Sequence, residues 1–330
     1  MRANPAAAGF SLYAGARLMA RSVRYPLESA ALALLLGVWT ATAPAQGDAK
    51  RGEYLVRAGG CLGCHTGEKE DAVPFAGGRA LKTPFGTFFG PNITPHPQAG
   101  IGRWSEADFV RAMRHGARPD GANYFPAFPY PSFTKISDGD LRDLWAYLRT
   151  LPPSSQPSRE HDLWFFFGWR FLVTVWKWFF FTPGPFVNPQ GVSAIVNRGA
   201  YLVQALGHCG ECHTPRNFLG GPKRGRFLAG GKLPDGEDVS NLTPAQLKKW
   251  SDSELADFLT IGTTPDGDVP SESMGEVIRN TTSQLTPQDL AVARRVVHVA
   301  TLPLLGSGKT DYVTLKSLAG DNAAGGGRRG

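Results

Sequence analysis

The four cysteines of this 330-residue chain fall into two copies of one pattern, Cys61-Leu-Gly-Cys64-His65 and Cys209-Gly-Glu-Cys212-His213. Two thiols one helical turn apart can each add to one vinyl group of a porphyrin. The adjacent histidine is then held under the iron as proximal ligand, so the pattern reads as covalent attachment of haem c. Two haems are expected, with Cys61/Cys64 and Cys209/Cys212 as anchors and His65 and His213 on the iron. By composition alone, a given cysteine has Cys at +3 and His at +4 about once in four thousand. Paired Cys-x-x-Cys also serves dithiol redox chemistry and split zinc sites, the competing readings. With every cysteine an anchor, none is left for a disulfide or as an iron ligand.

The sixth ligand of such an iron is usually a methionine on the loop before the last helix of the domain. In the second half this is Met274, 61 residues after His213. The equivalent position in the first half is Phe128, in Phe125-Pro-Ala-Phe128-Pro, which cannot ligate iron. Met113 is the one methionine between the first motif and the second; it either packs against the porphyrin or reaches the iron. His96 and His115 read as surface histidines. Haem 1 therefore has an unusual or an open sixth position, and a thioether on one iron alone would set the two potentials apart.

The motifs sit in a longer internal repeat. Arg51-Gly-Glu-Tyr-Leu-Val matches Arg198-Gly-Ala-Tyr-Leu-Val, Ala76-Gly-Gly matches Ala229-Gly-Gly, and Asn92-Ile-Thr-Pro matches Asn241-Leu-Thr-Pro. The stretch from Trp104 to Gly121 matches Trp250 to Gly267, and the offsets stay between 146 and 153. Each repeat carries three helix signals. One helix runs into the motif, one runs from Ser105 or Ser251 to Gly116 or Gly262, and one opens at Ser137 or Thr286 with an acidic first turn. No segment alternates as a strand, so the expected fold is all-α with long ordered loops over the haem. The expected domains are 47–153 and 193–306, joined by a linker at 154–192.

Residues 1–45 read as an export signal: Arg17, Arg21 and Arg24 precede an apolar run from Ala30 to Thr40, then Ala43-Pro44-Ala45. Translation starting at Met19 would give a signal of ordinary length, and an uncleaved anchor is the alternative. Loss of four arginines and Glu28 with this segment lowers the formal net charge from +7 to +4. No basic stripe follows, so nucleic acid is not an expected partner. The tail from 307 to 330 is rich in Gly, Ala, Asn and Arg and reads as disordered. Within the linker, 11 of the 18 residues from Trp164 to Phe181 are Phe or Trp, interrupted by Arg170 and Lys177. The segment 163–181 reads as packing across both domains, as docking to a partner or a membrane surface, or as a span.

Across 47–305 the chain resembles the dihaem and trihaem cytochrome c subunits of bacterial periplasmic dehydrogenases that oxidise alcohols, sugar acids, aldehydes or heteroaromatics. The resemblance rests on Thr83-Pro-Phe-Gly-Thr, Asn92-Ile-Thr-Pro, Gly100-Ile-Gly-Arg-Trp104, Pro119-Asp-Gly121, Gly207-His-Cys-Gly-Glu-Cys-His-Thr-Pro-Arg216 and Thr264-Pro-Asp-Gly-Asp268. It implies two tandem class-I-like cytochrome c domains, with Cys61, Cys64, His65, Cys209, Cys212, His213 and Met274 at the haem-binding positions. It also implies a periplasmic protein, associated with the inner membrane or free. Electrons would come from a periplasmic or membrane-bound dehydrogenase and leave to quinone, another cytochrome or a terminal oxidase of the respiratory chain. Many members have methionine where this chain has Phe128. The rival expectation is a peroxidase-like haem enzyme working at an open haem 1; otherwise the chain carries electrons and is not an enzyme.

Overall fold

Most of the longer helices begin at a short polar side chain that takes up a free main-chain N–H. In the computed structural model, which describes residues 46–233 and 236–299 (side chains of 294–299 excepted), Asp48 caps α1 (Ala49–Ala58). The next element, α2 (Cys61–His65), holds the first motif. A reciprocal Ser105/Asp108 box opens α3 (Glu106–His115), which stops at Gly116 with φ 57. The single turn α4 (Tyr130–Phe133) follows, then α5 (Asp138–Leu148) from Ser137. The aromatic linker contains α6 (Arg170–Phe180).

The second half repeats the scheme. From Ser193, α7 (Ala194–Tyr201) runs on as a π-helical turn at Leu202–Leu206 and leads to α8 (Gly210–His213). After α9 (Pro244–Leu247), α10 (Asp252–Ile261) has the equivalent Ser251/Glu254 box and stops at Gly262, φ 79. Two helices close the described chain, α11 (Glu272–Asn280) and α12 (Pro287–Val299). The expected export segment, the expected disordered tail and the expected end of the second repeat at 306 lie outside the described residues.

The fold is mostly helical, as expected, but short strands add to it. β1 (Ala80–Thr83), β2 (Gly86–Phe89) and β3 (Asp162–Leu163) form an antiparallel sheet in that order, with Ala80 opposite Phe89 and Gly86 opposite Leu163. β4 (Gly231–Lys232) pairs with β5 (Asp238–Val239). Strands of two to four residues are too short for a period-two pattern to register. Gly86 turns the first hairpin at φ 116, where a Cβ would lie 2.4 Å from the Asp162 carbonyl.

One hydrophobic cluster runs through both halves, taking Leu55, Ile136 and Leu141 from the first and Leu202, Leu206 and Ala293 from the second. The repeated Arg-Gly-x-Tyr segment locks this junction by an exchange. Each arginine pairs within its own half: Arg51 with Asp140 and Asp143, Arg198 with Asp289 at 2.5 Å. Each tyrosine reaches into the other half, Tyr54 donating to Asp289 Oδ2 at 2.6 Å and Tyr201 to Asp140 Oδ2 at 2.5 Å. The same hydroxyls accept from Thr286 N and Ser137 N, the residues that open α12 and α5.

Removing both hydroxyls as Tyr54→Phe with Tyr201→Phe is expected to lower the unfolding free energy by about 2 kcal/mol for each bond to a buried carboxylate. The junction is also acid-sensitive. Burial pushes the Asp289 carboxyl up, but the hydrogen bonds from Arg198 and Tyr54 outweigh it and hold the group below its ordinary value. A depressed carboxyl adds stability that is complete above the unfolded pKa, about 4, and is lost as pH falls through the folded value. Denaturant titrations should therefore find Asp289→Asn far weaker than wild type at neutral pH and nearly equal to it in acid.

Candidate functional site

Both Cys-x-x-Cys-His segments leave a helix through a left-handed residue. Gly60 (φ 64) precedes Cys61, and His208 (φ 39) precedes Cys209 in the same place. The turn redirects the chain so that the two thiols stand on one short helix. The four thiols are not activated: burial pushes Cys61 up to about 12 and Cys64 and Cys209 to about 11, and raises Cys212 as well. A working dithiol needs the opposite shift. Nor do the two pairs form a zinc site: among the described residues no three His, Cys, Asp or Glu side chains converge as metal ligands.

The two histidines are oriented identically. His65 Nδ1 lies 2.8 Å from the Pro91 carbonyl, and His213 Nδ1 lies 2.8 Å from that of Ser240. A carbonyl accepts, so Nδ1 carries the proton and Nε2 is left as the ligating atom. Burial lowers both imidazole pKa values and favours this neutral form. The repeated Asn-x-Thr-Pro segments shape the chain that offers these carbonyls: Asn92 Oδ1 accepts from Thr94 N at 2.9 Å, and Asn241 Oδ1 from Thr243 N at 2.8 Å.

The wall behind each histidine is also duplicated. Gly77 N donates to the His65 carbonyl at 2.7 Å and Gly230 N to that of His213 at 2.8 Å. Phe75 and Leu228, the residues two before these glycines, hold φ 63 and φ 58. Thr66 Oγ1 accepts from Phe75 N and Thr214 Oγ1 from Leu228 N, both at 3.1 Å. Non-glycine residues are rarely found there, and such strain persists where the surroundings over-determine it.

Met274 lies in the first turn of α11, with Ser271 as N-cap, rather than in the loop expected from sequence. Two residues close to Met274, Glu276 and Ser273, tie α11 to the first motif and toward the second. Glu276 pairs with Arg79 at 2.7 Å and sits 3.3 Å from a Cβ placed on Gly63. Ser273 donates to Glu237, whose charge acts on the Cys212 thiol. On another side the Phe128 segment touches the second motif: Ser132 donates to Glu211 at 2.5 Å, and Phe133 meets the His208 ring edge-on at 5.3 Å. Phe128 itself is surrounded by the rings of Tyr124, Tyr130 and Phe133. Met113, on α3, is buried in the main cluster, against which Cys61, Leu62 and Phe128 also pack.

These residues fit haem c. The thiols are neutral and paired at one-turn spacing, each histidine presents Nε2, and the fully buried Tyr130 hydroxyl has no hydrogen-bond partner among the described residues, a donor that a porphyrin carboxylate can use. His208, Glu211, Arg79 and Tyr130 were not legible as site residues in the sequence. For His208 one signal existed, its place opposite Gly60 in the repeat.

The cytochrome c family pattern matches residues 49–152. A dihaem cytochrome c-type protein of Cereibacter sphaeroides is 45% identical over 248 residues, 74% of this chain and 82% of that protein. The cytochrome c subunit of a quinone alcohol dehydrogenase of Gluconacetobacter polyoxogenes is 34% identical over 93% of this chain and 68% of its own length. The gluconate 2-dehydrogenase cytochrome c subunit of Pantoea cypripedii is 36% identical over 80% of this chain, which spans 63% of that subunit. On these motifs, this duplicated geometry and these relatives, the chain belongs to the c-type cytochromes, in the family that includes dihaem cytochromes and the cytochrome c subunits of bacterial dehydrogenases.

Proposed function

We propose that the chain is a periplasmic electron carrier with two haems c, one in each of two tandem domains at 47–153 and 193–306. The observation that carries this reading is the duplication of one site in full: anchoring thiols, histidine, orienting carbonyl and strained wall residue recur in register. Bound haem supplies reversible one-electron chemistry. The residues of the chain anchor it, fix the histidine tautomer and keep water away. Because α11 meets the first motif at Gly63 and reaches toward the second through Glu237, while Phe133 packs on His208 and shares its cluster with Cys61 and Leu62, the two haems belong to one unit suited to passing electrons between them.

The donor in this reading is a periplasmic or membrane-bound dehydrogenase, as the relatives' names suggest, and the acceptor is quinone, another cytochrome or a terminal oxidase. Export is supported by the charge and apolar pattern of residues 1–45. Met274 is the sixth ligand of haem 2. Haem 1 lacks a methionine at 128, and the seat of Met113 in the core supports packing as its role. This leaves haem 1 open or weakly ligated without making it a catalyst. Peroxide turnover needs a group near neutral pKa beside the iron. The hydroxyls around Phe128 do not offer one: burial pushes Tyr124 up to about 12 and raises Tyr130 too.

A potentiometric titration of the purified protein tests the reading. Two reversible one-electron steps at separate potentials are expected, with no peroxide consumption. Peroxide turnover at the rate of an enzyme, or a single step, would overturn it.

A further inference from the structure

In α6 the usual arrangement of an amphipathic helix is turned inside out. Val173, Trp176, Lys177 and Phe180, spaced as one helical face, point into the protein. The outward face is Phe171, Leu172, Val175, Trp178 and Phe179, with Trp178 77% and Phe179 71% exposed. Both cations of the segment are drawn inward. Lys177 Nζ donates to the carbonyls of His115 and Gly116 at 2.7 and 2.9 Å and to Asn123 Oδ1 at 2.6 Å. Arg170 donates to the Asn123 carbonyl at 2.7 Å and lies over the Phe125 ring.

The apolar surface continues beyond the helix. Trp164, Phe165, Phe166 and Trp169 precede it and are exposed. The second half contributes Phe218, 88% exposed, through the turn whose Leu219 carbonyl accepts from Trp176 Nε1 at 3.1 Å. At the C-terminal edge, Arg224 donates to the Phe180 carbonyl at 2.7 Å, and exposed Lys223 and Arg226 flank it.

We propose that this face is seated in the interfacial layer of an anionic lipid bilayer, with α6 lying in the membrane plane. Two features select a bilayer over a protein partner. Indole and phenyl rings are the side chains that settle at the headgroup boundary. The basic Lys223-Arg224-Gly-Arg226 edge complements anionic headgroups. The helix lies on the bilayer rather than crossing it: 11 residues rise about 16 Å against an apolar thickness of about 30 Å. Among the described residues no helix is long and apolar enough to cross a membrane.

The test is flotation of the haem-loaded protein with vesicles of phosphatidylcholine alone and with one-third phosphatidylglycerol. Binding to the anionic vesicles is expected. Trp178→Glu with Phe179→Glu should weaken it at least tenfold, and Lys223→Glu with Arg226→Glu should weaken it severalfold and remove its dependence on anionic lipid. Hydrogen exchange on the unaltered protein checks the site without a variant, because vesicles should protect amides of 164–181 selectively. Absence of vesicle binding overturns the proposal, as does binding that leaves 164–181 unprotected. Self-association that buries 164–181 in solution and is abolished by the same Trp178/Phe179 variant would also overturn it, assigning the face to a second copy.

Discussion

Gly90→Ala is expected to remove the first haem from the protein while leaving the second in place. A Cβ at residue 90 would lie 1.7 Å from the Cys64 carbonyl oxygen and 2.9 Å from its carbon, a collision with main chain that no side-chain rotation relieves. Nor can the backbone withdraw. Gly90 N donates to the Arg79 carbonyl and the Gly90 carbonyl accepts from Gly78 N, each at 2.9 Å. The segment must move, and it carries the Pro91 carbonyl that orients His65. Haem per chain should fall from two to one. Gly139→Ala is the control: it lies in α5, its Cβ would meet nothing closer than Ser137 Oγ at 3.9 Å, and alanine suits a helix better than glycine. Unchanged haem content in Gly90→Ala would contradict the role given to this close approach.

Phe128→Met is expected to close the sixth position of haem 1. The dithionite-reduced protein should bind one carbon monoxide per chain, because in the proposed ligation Met274 blocks only haem 2, and the Phe128→Met protein should bind none. A thioether also favours reduced iron, so one potential should rise in the variant while the other stays put. Met113→Leu separates the two roles of that methionine. If the native protein binds no carbon monoxide and Met113→Leu binds one, Met113 is an iron ligand and the core-packing reading is wrong. If all three proteins bind alike, position 128 does not face the iron.

The sequence carried the attachment chemistry because that chemistry is local. Cys-x-x-Cys-His needs only a helical turn, and the Ser105/Asp108 and Ser251/Glu254 boxes lie within four residues, so α3 and α10 begin and end where their caps and glycines predict. The remainder depends on contacts between distant residues. Tyr54 and Asp289 are separated by 235 positions, and a repeat detected in sequence does not say that its tyrosines cross over. The strand segments are too short to alternate, and Ser271 turns the expected loop around Met274 into a helix. Arg170 and Lys177 argued against a span from sequence. Only the fold shows that both point inward and leave the aromatic face without charge.

Haem attachment, dithiol exchange and a split zinc site were all compatible with the spacing of the cysteines, and burial argues against the second. Thiols raised to about 11 and 12 do not serve dithiol exchange at neutral pH. The shared cluster and the tyrosine exchange then join both sites into one body.

The intact mass of the purified protein, recorded with and without alkylation of free thiols, tests the central claim most directly. Two haem groups should remain bound through denaturation, no cysteine should be alkylated, and Cys209→Ser with Cys212→Ser should reduce the count to one. A mass without haem, or a chain in which two or more cysteines take up the alkylating reagent, would contradict the dihaem account.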